Sequence, residues 1–311
     1  MKIAITNPMK PTDDAGKPVH AHAGSILGAG GRWYWFGENR RFEDWRFNGI
    51  LCYSSPDLQS WRFEGTALAP SGEGKLSRNM VSYRPKVLYN DSTKKYVMFV
   101  TECDRDCRDG HLCFAQSDSP AGPYAYAGWR YGFGGRRIMD MSAFKDDDGQ
   151  GYILYSANTD RTGHWIDKLS GDYLSIAAGV SRPSARDREA PCLLKSGGRY
   201  YLSFSECTGW SPNQSHFVTA PSLCGPWSAE RDFGDRTTFN SQGACILTVP
   251  GTSGTAFVYV GDRWNYPGHG VGCDFDGSQY ILLPITLDGD SMSIEYRDRW
   301  RLDLDAGTWS V

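Results

Sequence analysis

One pattern recurs five times along this chain. A turn carrying Gly or Lys leads into an aromatic-rich strand at GGRWYWFG (30–37), STKKYVMFV (92–100), DDGQGYILYS (147–156), SGGRYYLSF (196–204) and TSGTAFVYVG (252–261). With Tyr34, Tyr96, Tyr152, Tyr201 and Phe257 as anchors, the steps are 62, 56, 49 and 56 residues. A four-stranded propeller blade takes about 40–50 residues, more with long loops. Helical spacing of apolar residues is hard to find, and short alternating runs bounded by turn residues take its place. The expectation is therefore an all-β fold, a single five-bladed β-propeller over residues 1–311.

A second element follows several of these strands: SSPDLQSW (54–61), SDSPAGPY (117–124) and TAPSLCGPW (219–227). Each reads as a hairpin between the outer strands of a blade, its final aromatic packing between blades. The segment SMSIEYRDRWRLDLD (291–305) reads as a closing strand pair that completes a blade near the N-terminus, removing a sheet edge.

In a propeller the inner strands converge on a central channel, so chemistry is sought at the strand openings before each aromatic repeat. Glu189 in REAP stands at one opening. Pro191 biases Ala190 toward extended geometry and so fixes the direction of Glu189. A Glu in an aromatic-lined pocket has a raised pKa and can donate a proton; a surface Glu beside Arg188 is the plainer alternative. Asp140, between two Met residues, is an isolated charge that needs a partner. It could orient Glu189 or hold a sugar hydroxyl. Glu38 ends the first aromatic strand and could accept from sugar hydroxyls or pair with Arg40 or Arg41. Gln242 in FNSQ can hydrogen-bond in both directions. Thr208, Trp210 and Asn213 in ECTGWSPNQ have the mix that lines sugar pockets.

Other classes fit less well. A net charge of −3 with no long basic run argues against nucleic acid. No stretch reaches membrane-spanning length, and MKIAITNPMK is too short an apolar run for a signal segment, so a cytoplasmic protein is expected. The nine Cys read as buried free thiols. Cys103 and Cys107 have a spacing that suggests metal, but no second pair completes it. His20 and His22 share a strand face without a third ligand. The remaining coherent chemistry is glycoside cleavage between two groups about 6.5–9.5 Å apart. Aromatic residues at 14% suit stacking on pyranose faces.

The stretches HAHAGSIL (20–27), WYWFGEN (33–39), RPKVLYN (84–90), MDMSAFKDDDG (139–149), REAP, CTGWSPN (207–213), FNSQ (239–242) and GDRW (261–264), in this order, resemble glycoside hydrolase family 43, and within it the exo-β-1,3-galactanase branch. The resemblance implies an inverting five-bladed propeller that releases galactose from β-1,3-galactan or arabinogalactan side chains, here expected without an appended carbohydrate-binding module. It assigns Glu189 as general acid, Asp140 as the carboxylate that tunes it, and Glu38 and Thr208 as substrate contacts. Trp210 and Trp264 fall in matched motifs as further substrate contacts. The family's usual base Asp is missing from AHAGSIL. The branch instead carries a Gln, matched by Gln242, which would position the water or act through its imidic tautomer; Glu102 in TECD is an alternative for handling the water. Tyr83 stands where the branch has Glu before RPK, which opens two alternatives: another galactoside or an arabinoside, or a weakly catalytic sugar-binding propeller. Some members carry a channel calcium, but no acidic cluster here demands one, so no metal or cofactor is expected. An oligosaccharide or polysaccharide is the expected partner.

Overall fold

A computed structural model describes residues 1–40, 46–157, 160, 162–265 and 274–311. Arg41 and Cys273 lie outside the described residues. Among the described residues the strands are antiparallel and form five four-stranded sheets and one three-stranded sheet. Sheet I holds β2 (Ser25–Ala29), β3 (Arg32–Glu38), β4 (Ile50–Ser55) and β5 (Arg62–Leu68). Sheet II holds β6 (Val81–Asn90), β7 (Lys95–Cys103), β8 (His111–Ser117) and β9 (Ala125–Arg130). Sheet III holds β10 (Met141–Lys145), β11 (Gly151–Ser156), β12 (His164–Leu169) and β13 (Ile176–Ser184). Sheet IV holds β14 (Glu189–Ser196), β15 (Arg199–Ser205), β16 (Ser215–Ala220) and β17 (Arg231–Phe233). Sheet V holds β18 (Gln242–Pro250), β19 (Thr255–Asn265), β20 (Asp274–Asp288) and β21 (Ser291–Ile294). The strands of each sheet pair in chain order, so each sheet is a meander.

The first strands of successive sheets touch in a closed cycle: β2 with β6, β6 with β10, β10 with β14, β14 with β18, and β18 with β2. Side chains on alternating sides of each strand fill the gaps between sheets. On β7, Met98 packs toward sheet I with Phe36 and Ile50, while its neighbours Val97 and Phe99 pack toward sheet III with Ile153 and Tyr155. Leu154 of sheet III meets Leu202 and Phe204 of sheet IV. Tyr201 and Phe217 of sheet IV meet Tyr259 and Ile281 of sheet V. Val258 and Leu282 of sheet V meet Trp35 and Tyr53 of sheet I. Both faces of every one of these five sheets are thus covered by a neighbouring sheet, which explains why the repeat strands read as near-continuous apolar runs.

The aromatic anchors all lie on the second strand of their sheet, and the three Ser/Pro/Gly turns each join a third strand to a fourth. Trp61 and Tyr124, which end two of those turns, are buried in the inter-sheet cores. The expectation for 291–305 is corrected. Ser291–Ile294 is the outer strand of sheet V, whereas β22 (Arg299–Asp303) pairs with β1 (Lys2–Thr6) and β23 (Thr308–Ser310) in the three-stranded sheet. Among the described residues no strand is exchanged between the chain ends to complete a four-stranded sheet, because sheet I already has four local strands. Instead Ile3, Ile5, Trp300 and Leu302 pack onto the core between sheets V and I. No helix among the described residues is long and apolar enough to cross a membrane.

Candidate active site

The openings of the five first strands meet around one cavity of about 280 Å³. Its lining includes Ala23 before β2, Tyr83 and Arg84 on β6, Asp140 before β10, Glu189 opening β14 and Gln242 opening β18. Glu38, Trp210 and Trp264 complete the set, so seven of the eight residues singled out from the sequence share this cavity. Thr208 stands outside it. It is exposed, and its hydroxyl donates to the Ser211 carbonyl (2.7 Å) and accepts from Asn213 Nδ2 (2.6 Å), which ties it into its own turn.

Backbone irregularity aims these side chains. The β6–β7 ladder slips between Tyr83 and Lys86, and the β14–β15 ladder between Glu189 and Cys192. Each bulge contains a non-glycine residue with positive φ, Arg84 at 53° and Ala190 at 52°. The extended geometry expected at Ala190 is therefore corrected. Its N–H instead turns inward and donates to Asp140 Oδ2 (3.1 Å), a charge-assisted bond that offsets the strain.

Arg84 is the residue that sequence reasoning passed over. It is buried, its Nε lies 2.7 Å from Asp140 Oδ2, its Nη1 donates to the Gly243 carbonyl (3.1 Å), and its backbone N–H donates to Glu38 Oε1 (3.0 Å). One residue thus ties sheets I, II and V to the carboxylate of sheet III. Burial works against its charge, but Asp140 more than offsets this and holds the guanidinium pKa above its ordinary value. The signal available was RPK itself: an Arg before Pro at an inner-strand opening, placed like the Ala of REAP.

Glu189 faces the cavity with its pKa pushed up to about 8. Burial is the main cause and the Asp140 charge the second, with Arg84 acting in the opposite direction. Its carboxyl also hydrogen-bonds Cys207 and Gln242. At neutral pH it is thus a protonated carboxylic acid beside a carboxylate paired with arginine, an arrangement suited to delivering one proton. Gln242 is fixed from both ends of its amide: Trp264 Nε1 donates to its Oε1 (3.2 Å), and its Nε2 donates to Ser205 Oγ (3.1 Å). Trp210 and Trp264 meet edge to face at 4.8 Å and form an apolar wall.

Glu38 is more committed than the sequence suggests. Arg40 approaches its Oε2 through Nε (2.6 Å) and Nη2 (2.5 Å), so the Arg40 pairing holds, with Arg84 N–H on the other oxygen. The Tyr83 hydroxyl donates to Met139 Sδ at 3.9 Å. Burial keeps its pKa well above the ordinary phenol, so it meets a ligand as a neutral hydroxyl. Ala23, within the AHAGSIL stretch, lines the cavity, and buried Asp262 behind it accepts the Ala23 N–H (2.8 Å). Glu102 does not reach the cavity. It is fully buried, with Oε1 3.0 Å from His111 Nε2 and Oε2 accepting from Ser82 Oγ (3.1 Å), so a role with the nucleophilic water is corrected. With Cys113 these two residues form the one group of potential metal ligands among the described residues. His22 faces Asp262 and His20 faces Asp276, so the two His residues point at different carboxylates.

Further along the same strands lies a second space of about 600 Å³, lined by Lys86, Lys145 and Lys195 with Ser25, Ser142 and Asp147. Lys86 Nζ donates to the carbonyls of Ala23 (2.7 Å) and Gly24 (2.9 Å), placing a cation between the two spaces. Replacing Arg84 by Met strands the Asp140 charge. R84M is expected to lose roughly 3–5 kcal/mol of stability in urea unfolding, and R84M/D140N less than the sum of the two single losses.

Residues 16–242 match Glycosyl hydrolases family 43. The chain belongs to that family. Among solved structures it is similar to an exo-β-1,3-galactanase from Clostridium thermocellum, at 34% identity and TM-score 0.89, covering 99% of this chain and 68% of that one. It is equally similar to the exo-β-1,3-galactanase of Phanerochaete chrysosporium solved with β-1,3-galactotriose, at 33% identity and TM-score 0.90, covering 99% of this chain and 70% of that one. A family 43 β-1,3-galactosidase solved with galactodeoxynojirimycin matches at 30% identity and TM-score 0.84, covering 95% and 99%. A curated relative, a probable arabinan endo-1,5-α-L-arabinosidase B of Aspergillus fumigatus, is 25% identical over 239 residues; the match covers 64% of this chain and 60% of that protein.

Proposed function

We propose that this family 43 member is a five-bladed β-propeller and an inverting, exo-acting glycoside hydrolase that releases galactose from β-1,3-galactan or arabinogalactan side chains. The observation that carries the reading is the placement of Glu189 beside the Arg84–Asp140 pair in a Trp-walled cavity, where burial and the Asp140 charge push its pKa up. The closed cycle of five four-stranded sheets supports the blade count. Likeness to galactanases over nearly the whole chain supports the sugar.

In this mechanism Glu189 protonates the glycosidic oxygen as the bond to the anomeric carbon breaks. Asp140 orients Glu189 through the Ala190 N–H and keeps its proton on until the leaving oxygen demands it. Gln242 holds the attacking water through the amide-oxygen lone pair that Trp264 leaves free; as the new C–O bond forms, the water loses its proton late, to that oxygen while Nε2 gives one up, or to solvent, and a solvent proton then restores Glu189. The adjoining groove of about 280 Å³, lined by Trp210, Ser211, Asn213, Asn240 and Trp264, suits the leaving part of the chain. Glu38 and Tyr83 complete the sugar contacts, Glu38 through the lone pairs its arginines leave.

A second glycone is the alternative that a specific observation favours. Tyr83 replaces a carboxylate by a neutral hydroxyl, which weakens its grip on a sugar hydroxyl. A panel of aryl β-galactosides, α-L-arabinosides and β-xylosides separates the two. Turnover of the galactoside alone supports the galactanase reading, and turnover of the arabinoside alone contradicts it.

A further inference from the structure

Cys103 closes β7 and is buried; Cys107, four residues on, is exposed and lines the sugar cavity beside Arg40, Tyr83 and Met139. A turn, Cys107 N–H to the Asp104 carbonyl at 3.0 Å, folds the loop back so that the two sulfurs lie 2.9 Å apart. That is closer than two unbonded sulfurs rest in ordinary contact. The spacing that suggested metal lacks a third ligand: among the described residues the only metal-like group is Glu102, His111 and Cys113.

We infer that Cys103 and Cys107 form a covalent modification site on the wall of the sugar cavity, a dithiol that closes to a disulfide by exchange with a small-molecule disulfide such as oxidised glutathione. The exposed Cys107 thiolate attacks one glutathione sulfur, forming a mixed disulfide and expelling one glutathione thiolate. Cys103 then loses its proton and attacks the Cys107 sulfur, expelling the second glutathione. The protein gives up two protons and two electrons, and the reagent disulfide is reduced to two thiols. The asymmetry of the pair fits this order. A hydrogen bond from Cys103 holds the Cys107 thiol below its ordinary pKa, while Cys103 itself is raised by the same bond and by burial. The disulfide would tie down the 103–107 loop beside Tyr83, the position where this chain departs from the galactanase pattern.

The test treats the folded protein with oxidised glutathione, blocks remaining thiols with N-ethylmaleimide, and maps the nine cysteines by peptide mass. The expected result is a 103–107 peptide lighter by two hydrogens, formed before any other cysteine pair and reversed by dithiothreitol. C103S should instead trap glutathione on Cys107. Finding both residues maleimide-labelled, or a stable glutathione adduct on wild-type Cys107, would overturn the proposal. The effect on catalysis rests on the glycosidase reading and is read separately. Oxidation should shift KM by about threefold with a smaller change in kcat, and C103S/C107S should show the same KM with and without oxidant. The mapping involves no sugar, so failure of one reading is distinguishable from failure of the other.

Discussion

Glu189→Gln is expected to lower kcat on β-1,3-linked galacto-oligosaccharides by about 10³-fold, within the range that a positioned general acid contributes. KM should change little, because the amide fills the same space. The loss should depend on the leaving group. A sugar alcohol leaves poorly without a proton, whereas dinitrophenolate and fluoride leave as anions. E189Q should therefore keep most of its rate on a dinitrophenyl β-galactoside or a galactosyl fluoride. An equal loss on both substrate types would mean that Glu189 does something other than donate a proton. Stability follows the same proton. In the unfolded chain a glutamate ionises near its ordinary value, whereas in the fold Glu189 holds its proton to about pH 8. The folded state binds more protons between those values, so wild-type stability falls as pH rises through that window. E189Q escapes this loss. Its Tm relative to wild type should be highest at pH 8 and should decline as pH drops toward the ordinary carboxylate range.

Asp140→Asn is the second large effect. Asp140 sits 2.7 Å from Arg84 and receives the Ala190 N–H, so its charge and its geometry both bear on the acid. Removing the charge leaves Arg84 as the nearest ion, and both changes favour ionised Glu189. The alkaline limb of kcat/KM, expected near the Glu189 pKa of about 8 in wild type, should then move down by about one unit or more. At a pH below both limbs the rate should partly recover, because Asn can still accept the Ala190 N–H. A purely structural role for Asp140 would lower the rate at every pH and leave the limb in place.

Much of this site was legible because propeller geometry turns a search over 311 residues into a search over five strand openings. The aromatic repeats fall on the second strands, whose two covered faces demand apolar side chains, and residues at or just before the start of each preceding strand reach the cavity. Three features escaped for physical reasons. Ala190 takes positive φ because the carboxylate of Asp140, 50 residues earlier in the chain, captures its N–H, and the local preference set by Pro191 cannot register so distant a partner. Arg84 looked like one more charge in a motif, and only the fold brings it against a carboxylate of the next sheet. Thr208 has the right chemistry for a sugar contact, but its turn takes its hydroxyl proton and holds the residue outside the cavity lining. The terminal segment 291–305 shows the same limit: its alternation predicts strands correctly, whereas their partners depend on sheet I being complete without them.

The decisive measurement is a digest of β-1,3-galactotriose followed by proton NMR from the first minutes, with wild type and E189Q in parallel. Wild type is expected to release galactose from the chain end as the α-anomer, which then mutarotates, and E189Q is expected to release almost none. Galactose appearing first as the β-anomer, or release by E189Q at the wild-type rate, would overturn the inverting mechanism with Glu189 as its acid.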